Sequence, residues 1–190
     1  NAMRWFWIDR FTEFVSGSHA VAVKGVSLSE EHLHDHFVGY PVMPNSLVIE
    51  GIAQAGGLLV SEHYGFAELV VLAKISKASF HSRVRPGDVL TYRVTADWIR
   101  ADSAQVSATA RAGTPSHGDD RLHAEVQLLY ARLGEEMEQK LGTQLFKPSD
   151  LNHWLNLVRV FEVGTKEDGS PLCRDDYPLG HPDSPLQVEN

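Results

Sequence analysis

The spacing of hydrophobic positions changes period along the chain. Residues 4–15 are dense in aromatics and β-formers, with Trp5, Phe6, Trp7, Ile8, Phe11 and Phe14. Ser16-Gly17-Ser18 is a turn signal, and residues 20–26 alternate weakly. This pattern predicts a strand, a tight turn and a second strand. Residues 29–34 read as a short polar segment of about one helical turn. Residues 37–44, with Gly39, Pro41 and Pro44, read as an ordered loop. From residue 47 to about 63 the chain is apolar on every side of a 3.6-residue period, with Asn45 or Ser46 as N-cap. A helix apolar all round is a buried helix. Its glycines Gly51, Gly56 and Gly57 lower helix propensity but permit close backbone approach. Four strand-like segments follow, at 69–82, 89–100, 104–112 and 122–133, with turns at Arg85-Pro86-Gly87-Asp88 and from Gly113 to Ser116. Sequential strands with short turns form an antiparallel sheet. Two strands, one buried helix and four strands make an α+β domain whose sheet curls around the helix, spanning residues 3–133.

Residues 134–190 read as a C-terminal extension. A short charged helix is expected at 134–141. Leu151, Trp154, Leu155, Val158 and Phe161 predict an amphipathic helix at about 149–162, with Ser149 as a cap candidate. From Gly164 onward the chain is rich in Gly, Pro and Asp, and an irregular arm or partial disorder is expected.

Composition narrows the function classes. Hydrophobic residues make up 43% and charged residues 22% of 190, ordinary for a globular protein with a core. A formal charge of −8 argues against nucleic acid or an anionic membrane as a bulk electrostatic partner. The single cysteine, Cys173, precludes an internal disulfide and fits a reducing compartment such as the cytoplasm. The best apolar run is interrupted by a charge, so no membrane span is expected, and the first residues lack the pattern of a signal peptide.

That charge is Glu50, the only one between Val42 and Val60. An ion in an apolar segment is costly unless it is paired or neutral. Fourteen positions upstream lies His36. Histidine exchanges protons near neutral pH, and a carboxyl in a dry setting holds its proton, so the pair suits acid/base work on one substrate. The helix N-terminus at Asn45 and Ser46 offers free N–H groups for a developing oxyanion, such as an enolized thioester carbonyl.

The stretch His36-Phe37-x-Gly39-x-Pro41-Val42-Met43-Pro44, followed by Glu50-x-x-Ala53-Gln54, resembles the signature of the 3-hydroxyacyl-acyl-carrier-protein dehydratases of fatty-acid synthesis. Arg85-Pro86-Gly87-Asp88 resembles that family's turn after the third strand, and the resemblance covers about residues 5–133. It implies the hot-dog fold, an antiparallel sheet wrapped around a long central helix. It implies dimers, or trimers of dimers, whose active sites combine His36 of one subunit with Glu50 of the other. It implies syn elimination of water from a 3-hydroxyacyl thioester of acyl carrier protein or coenzyme A, giving the trans-2-enoyl thioester. His36 would take the C2 proton and Glu50 would protonate the leaving hydroxyl. Gly39 and Asn45 stand where the family uses backbone N–H donors, and Gln54 would orient Glu50. No cofactor or metal is implied. The chain departs from the family pattern at Val38, commonly Pro, and at Asn45, commonly Gly.

Other readings have their own motives. A hot-dog thioesterase would use the carboxylate to activate water, but His36 in this motif argues against it. A non-catalytic acyl-binding or scaffold subunit is the other alternative. Leu47, Phe37 and Ile49 are candidate linings of an acyl tunnel. Lys74, Lys77, Arg83 and Arg85 are the only charges between Leu69 and Gly87, and this local positive excess could receive an acidic carrier or a phosphopantetheine phosphate. His32, His34 and His36 with Asp35 suggest a metal, but no second ligand cluster follows at suitable spacing, so none is expected.

Overall fold

The computed structural model describes residues 5–114, 118–133 and 148–179. In chain order the elements are β1 (Arg10–Val15), β2 (His19–Gly25), α1 (His32–Asp35), α2 (Asn45–His63), β3 (Leu69–Phe80), β4 (Val89–Ile99), β5 (Ser103–Gly113), β6 (Arg121–Leu133), α3 (Pro148–Leu157), α4 (Val160–Val163) and β7 (Gly164–Thr165). A 3₁₀ turn, Arg174–Asp176, follows. The seven strands form one sheet in the order β3-β6-β5-β4-β2-β1-β7. Every pairing is antiparallel except β1 with β7. The sheet packs one face on α2, the hot-dog arrangement the resemblance implies.

Side-chain size explains how closely the helix sits. The inward positions of β5 are Ala104, Val106, Ala108, Ala110 and Ala112, all buried and mostly small. Two large side chains fill the space left on either side, Tyr92 of β4 and Tyr130 of β6. Each presses on a helix glycine. A Cβ on Gly51 would lie 2.7 Å from the Tyr92 ring and 2.8 Å from the Trp7 carbonyl oxygen. A Cβ on Gly56 would lie 2.6 Å from the Tyr130 hydroxyl, which donates to the Ala53 carbonyl at 2.9 Å. The glycines thus give up helix propensity for the close approach of two aromatic rings.

Several expectations need correction. The first strand begins at Arg10: residues 5–8 have no regular structure, and the Trp7 N–H binds Gln54 on α2 instead of a strand. Neither Asn45 nor Ser46 caps α2: Pro44, in extended conformation, is the N-cap and Asn45 is the first helical residue. The helix is not buried all round within the chain. Asn45, Ser46 and Glu50 are exposed, and Ile49, Gln54 and Gly57 are half-buried, so one face of α2 lies open.

The tail also differs from expectation. The charged helix expected at 134–141 lies outside the described residues. The side chain of Ser149 is likewise outside them. The amphipathic helix is broken in two, since Arg159 adopts left-handed dihedrals (φ 63°) between α3 and α4. Leu151, Leu155, Val158 and Val160 bury its apolar face. Residues 164–179 are irregular apart from β7 and the 3₁₀ turn, yet packed, with Leu172 and Leu179 buried. Backbone hydrogen bonds account for this: the Phe11 N–H donates to the Val158 carbonyl at 2.8 Å, and the Ser16 N–H to Thr165 at 2.9 Å. Glu62, buried near the end of α2, accepts from the Ser16 hydroxyl at 2.8 Å and the Tyr177 hydroxyl at 2.7 Å. Residues 158–177 are therefore joined to β1 and α2 by both backbone and side chains.

Candidate active site

The buried Leu33 anchors α1, and His36 is the residue that ends it. His36 Nδ1 lies 2.7 Å from the Val42 carbonyl, and the Val42 N–H donates back to the His36 carbonyl at 2.8 Å. A carbonyl only accepts, so in the neutral ring Nδ1 carries the proton and Nε2 has a free lone pair. The imidazole stacks on Phe37 at 4.4 Å across a cis peptide bond. Phe37 and Tyr40 exchange backbone hydrogen bonds around Gly39, whose φ of 72° suits glycine. The Met43 N–H donates to the Val84 carbonyl at 2.9 Å, tying the loop to the β3–β4 connection.

These elements border an open cleft of about 430 Å³, lined by His36, Phe37, Val42, Met43, Asn45, Ser82 and Arg83. Asn45 brings the first turn of α2 to the cleft, where helix N–H groups lack intrahelical acceptors. It does not take the positive φ that glycine tolerates. Gly39 is exposed and does not line the cleft. Of the proposed tunnel residues Phe37 lines it, whereas Leu47 and Ile49 pack partly against the core.

Glu50 does not line the cleft and is exposed on the open face of α2. The desolvation argued from its apolar neighbours is thus not supplied by its own chain. Its carboxylate accepts from Gln54 Nε2 at 3.0 Å, as expected for one helical turn. Gln54 is fixed in turn by the main chain: Nε2 also donates to the Trp5 carbonyl at 2.8 Å, and Oε1 accepts the Trp7 N–H at 2.8 Å.

The four basic candidates separate. Arg83 and Arg85 both donate to the Tyr40 hydroxyl and lie over its ring. Lys74 and Lys77 are exposed on β3, and Lys77 lines a separate groove of about 310 Å³ with Arg93 and Gln127. The histidines of α1 do not lie on an extended segment. Among the described residues no group of three His, Cys, Asp or Glu could hold a metal ion. His32 instead meets Glu30 at 3.5 Å, and burial, with repulsion from Lys24 and His36, holds its pKa below the ordinary value against the pull of Glu30.

Sequence reasoning missed Tyr40, Ser82 and Trp7. Ser82 reaches the cleft only through its position after β3, and Tyr40 through its arginine contacts. Neither carries a local signal.

Residues 3–124 match the family model of the FabA-like domain. Among curated proteins, the chain is 38% identical over 104 residues to a 3-hydroxyacyl-acyl-carrier-protein dehydratase FabZ of Oenococcus oeni, covering 54% of this chain and 75% of that one. It is 36% identical over 128 residues to the protein of the same name from Sulfurovum sp., covering 64% and 82%. Among solved structures, an acyl-CoA hydrolase of Staphylococcus aureus in complex with coenzyme A superposes with a TM-score of 0.52 at 19% identity, covering 65% of this chain and 71% of that one. An acyl-CoA hydrolase of Bacillus cereus gives 0.53 at 17%, covering 65% and 72%. The two hydrolases share the fold. With its family model spanning residues 3–124, the chain belongs to the FabA-like family.

Proposed function

We propose that this protein is a dehydratase that eliminates water from 3-hydroxyacyl thioesters, carried on acyl carrier protein or coenzyme A, to give trans-2-enoyl thioesters. The observation that carries the reading is His36, whose Nδ1 is committed to the Val42 carbonyl and whose Nε2 has no partner among the described residues, beside the cleft. The names of the curated relatives agree with it.

In this mechanism the thioester carbonyl lies toward the first turn of α2, where the Asn45 N–H is a donor, with Gly39 as the second candidate. His36 Nε2 removes a C2 proton. The electron pair forms the C2–C3 double bond, and the C3–O bond breaks as Glu50 gives its proton to the leaving hydroxyl, releasing water. Gln54 orients Glu50. The acid serves the cleft of a second subunit, a reading supported by the exposure of Glu50 and its absence from the lining of its own cleft. We place the dimer contact at β3. That strand is a sheet edge, and it exposes Leu72 and Ile75. Arg83 in the cleft lining and Arg85, which shares the Tyr40 hydroxyl with it, are the candidates for the carrier's phosphate, with Lys74 and Lys77 on β3 as further ones. The substrate chemistry calls for no metal or cofactor. We infer the division into a catalytic unit at 3–133 and an extension at 134–190, and the single cysteine supports a cytoplasmic setting.

The test is hydration of a short trans-2-enoyl thioester, followed by loss of ultraviolet absorbance. His36→Ala and Glu50→Gln should each lower turnover by about 10³-fold or more, as loss of an essential acid or base does. Dimers of one His36→Ala and one Glu50→Gln subunit should regain one site. Near-native turnover in either single variant would remove these roles, and an inactive mixed dimer would remove the shared site.

A further inference from the structure

The buried Trp7 touches the supports of both reacting groups. Its backbone N–H donates to Gln54 Oε1 at 2.8 Å. This bond fixes which way the Gln54 amide faces, because only Oε1 can accept it, and Nε2 is left to donate to Glu50 at 3.0 Å. Its carbonyl lies against Gly51, where a Cβ would approach to 2.8 Å, so the segment is pinned to α2.

The indole makes a separate set of contacts. It is 6% exposed, meets His32 edge-on with centroids 5.3 Å apart, and lies 5.6 Å from the Lys24 ammonium. Lys24 binds Glu30 at 2.9 Å, and Glu30 lies 3.5 Å from His32. His32 opens α1 and His36 closes it. The ring therefore packs the base of the element that carries His36, while the backbone of the same residue holds the hydrogen bond behind Glu50.

We propose that Trp7 is a positioning residue shared by two active sites. This rests on the reading that His36 and Glu50 of one chain serve different sites of a dimer. Through its ring Trp7 places the base of one site, and through Gln54 it places the acid of the other. Removing the indole loosens α1 directly, and it frees the 5–8 segment to shift the Gln54 amide.

The experiment uses mixed dimers with one working site. In these the Glu50→Gln subunit supplies His36 and the His36→Ala subunit supplies Glu50. Trp7→Leu is placed in one subunit or the other, and the pH profile of enoyl-thioester hydration is measured. Either placement should lower kcat by on the order of 10–100-fold with KM little changed, as misplacement of reacting groups does. In the subunit that supplies His36 the substitution should move the limb of the profile set by the base. In the subunit that supplies Glu50 it should move the limb set by the acid. Trp7→Phe, which keeps a ring against His32, should recover most of the turnover, and its melting curve checks folding. Loss from one placement only, equal movement of both limbs from either placement, or no rescue by Trp7→Phe would each overturn the proposal. An inactive parent dimer, with Trp7 intact in both subunits, would instead overturn the shared site on which it rests.

Discussion

The contact between Gly56 and Tyr130 gives a prediction in which one substitution changes sign with its background. Ala in a helix interior is favoured over Gly by about 1 kcal/mol. Against this, the new methyl would lie 2.6 Å from the Tyr130 hydroxyl, with Tyr130 Cζ and Val106 Cγ1 at 3.3 Å. Tyr130 is 2% exposed and tethered by its bond to Ala53, so the ring has little freedom to withdraw. Overpacking of this kind costs about 2–3 kcal/mol, and Gly56→Ala should therefore destabilise by about 1–2 kcal/mol. Tyr130→Phe alone loses a buried hydrogen bond, about 1 kcal/mol. In that background the hydroxyl is gone, the closest contacts are those at 3.3 Å, and the helix preference prevails. Gly56→Ala should then be neutral or stabilising, a coupling of about 2 kcal/mol between the two positions. The assay is urea unfolding followed by tryptophan fluorescence, at one fixed protein concentration because subunit association adds to apparent stability. Equal effects of Gly56→Ala in both backgrounds would refute the account of why this helix carries its glycines.

Two further predictions concern buried polar groups. His123 is fully buried, bonds the Ser82 carbonyl through Nδ1 at 2.9 Å, and its Nε2 has no partner among the described residues. Burial pushes its pKa below the ordinary 6.5, with Arg121 and His81 adding to the effect and the Ser82 bond and Asp88 opposing it. The unfolded chain then takes up the proton first, so stability is complete above about pH 6.5 and declines as pH falls toward the lowered native value. His123→Leu should reduce that slope in unfolding curves without abolishing it, since His32 is depressed in the same direction. An unchanged slope would show that His123 is not the responsible group. Tyr177→Phe leaves one oxygen of the buried Glu62 without its donor, and should cost about 1–3 kcal/mol in denaturant unfolding and speed amide exchange in β7. No change in either measurement would mean that the 164–179 segment is held without this bond.

The strand segments and the central helix were legible because hydrophobic periodicity and turn residues report local geometry directly; the strand order was not, because β3 pairs with the distant β6 and not across the Arg85–Asp88 turn with β4. The loop setting of His36 and the contact of Gln54 with Glu50 were legible because turn residues and helical spacing report local geometry, whereas nothing among the described residues of one chain brings His36 and Glu50 together. The open face of α2 was not legible either. A run apolar on all sides reads the same whether its own sheet covers every face or one face awaits another surface. Residues 5–8 look like strand because aromatics favour sheets, yet the Gln54 amide takes the Trp7 N–H and redirects the chain. Helix capping misled at Asn45 because Pro44, with φ of −60°, already supplies the entry geometry. The order of the tail was hidden because β7 has two residues, too few to show a period, and its partners lie far away in sequence.

The extension has a consequence for how copies of the chain can associate. On the β1 side of the sheet, β7 is short, and its outer side is bridged by Pro171, which has no N–H to offer. The β3 side has no neighbouring strand among the described residues. A sheet with two receptive edges can add copies end on end without limit, as fibrils do. A sheet with one can join a second copy by a twofold axis and then has nothing left to extend. Loss of residues 164–179 would therefore cost more than stability: it would uncover β1 as a second edge open to pairing.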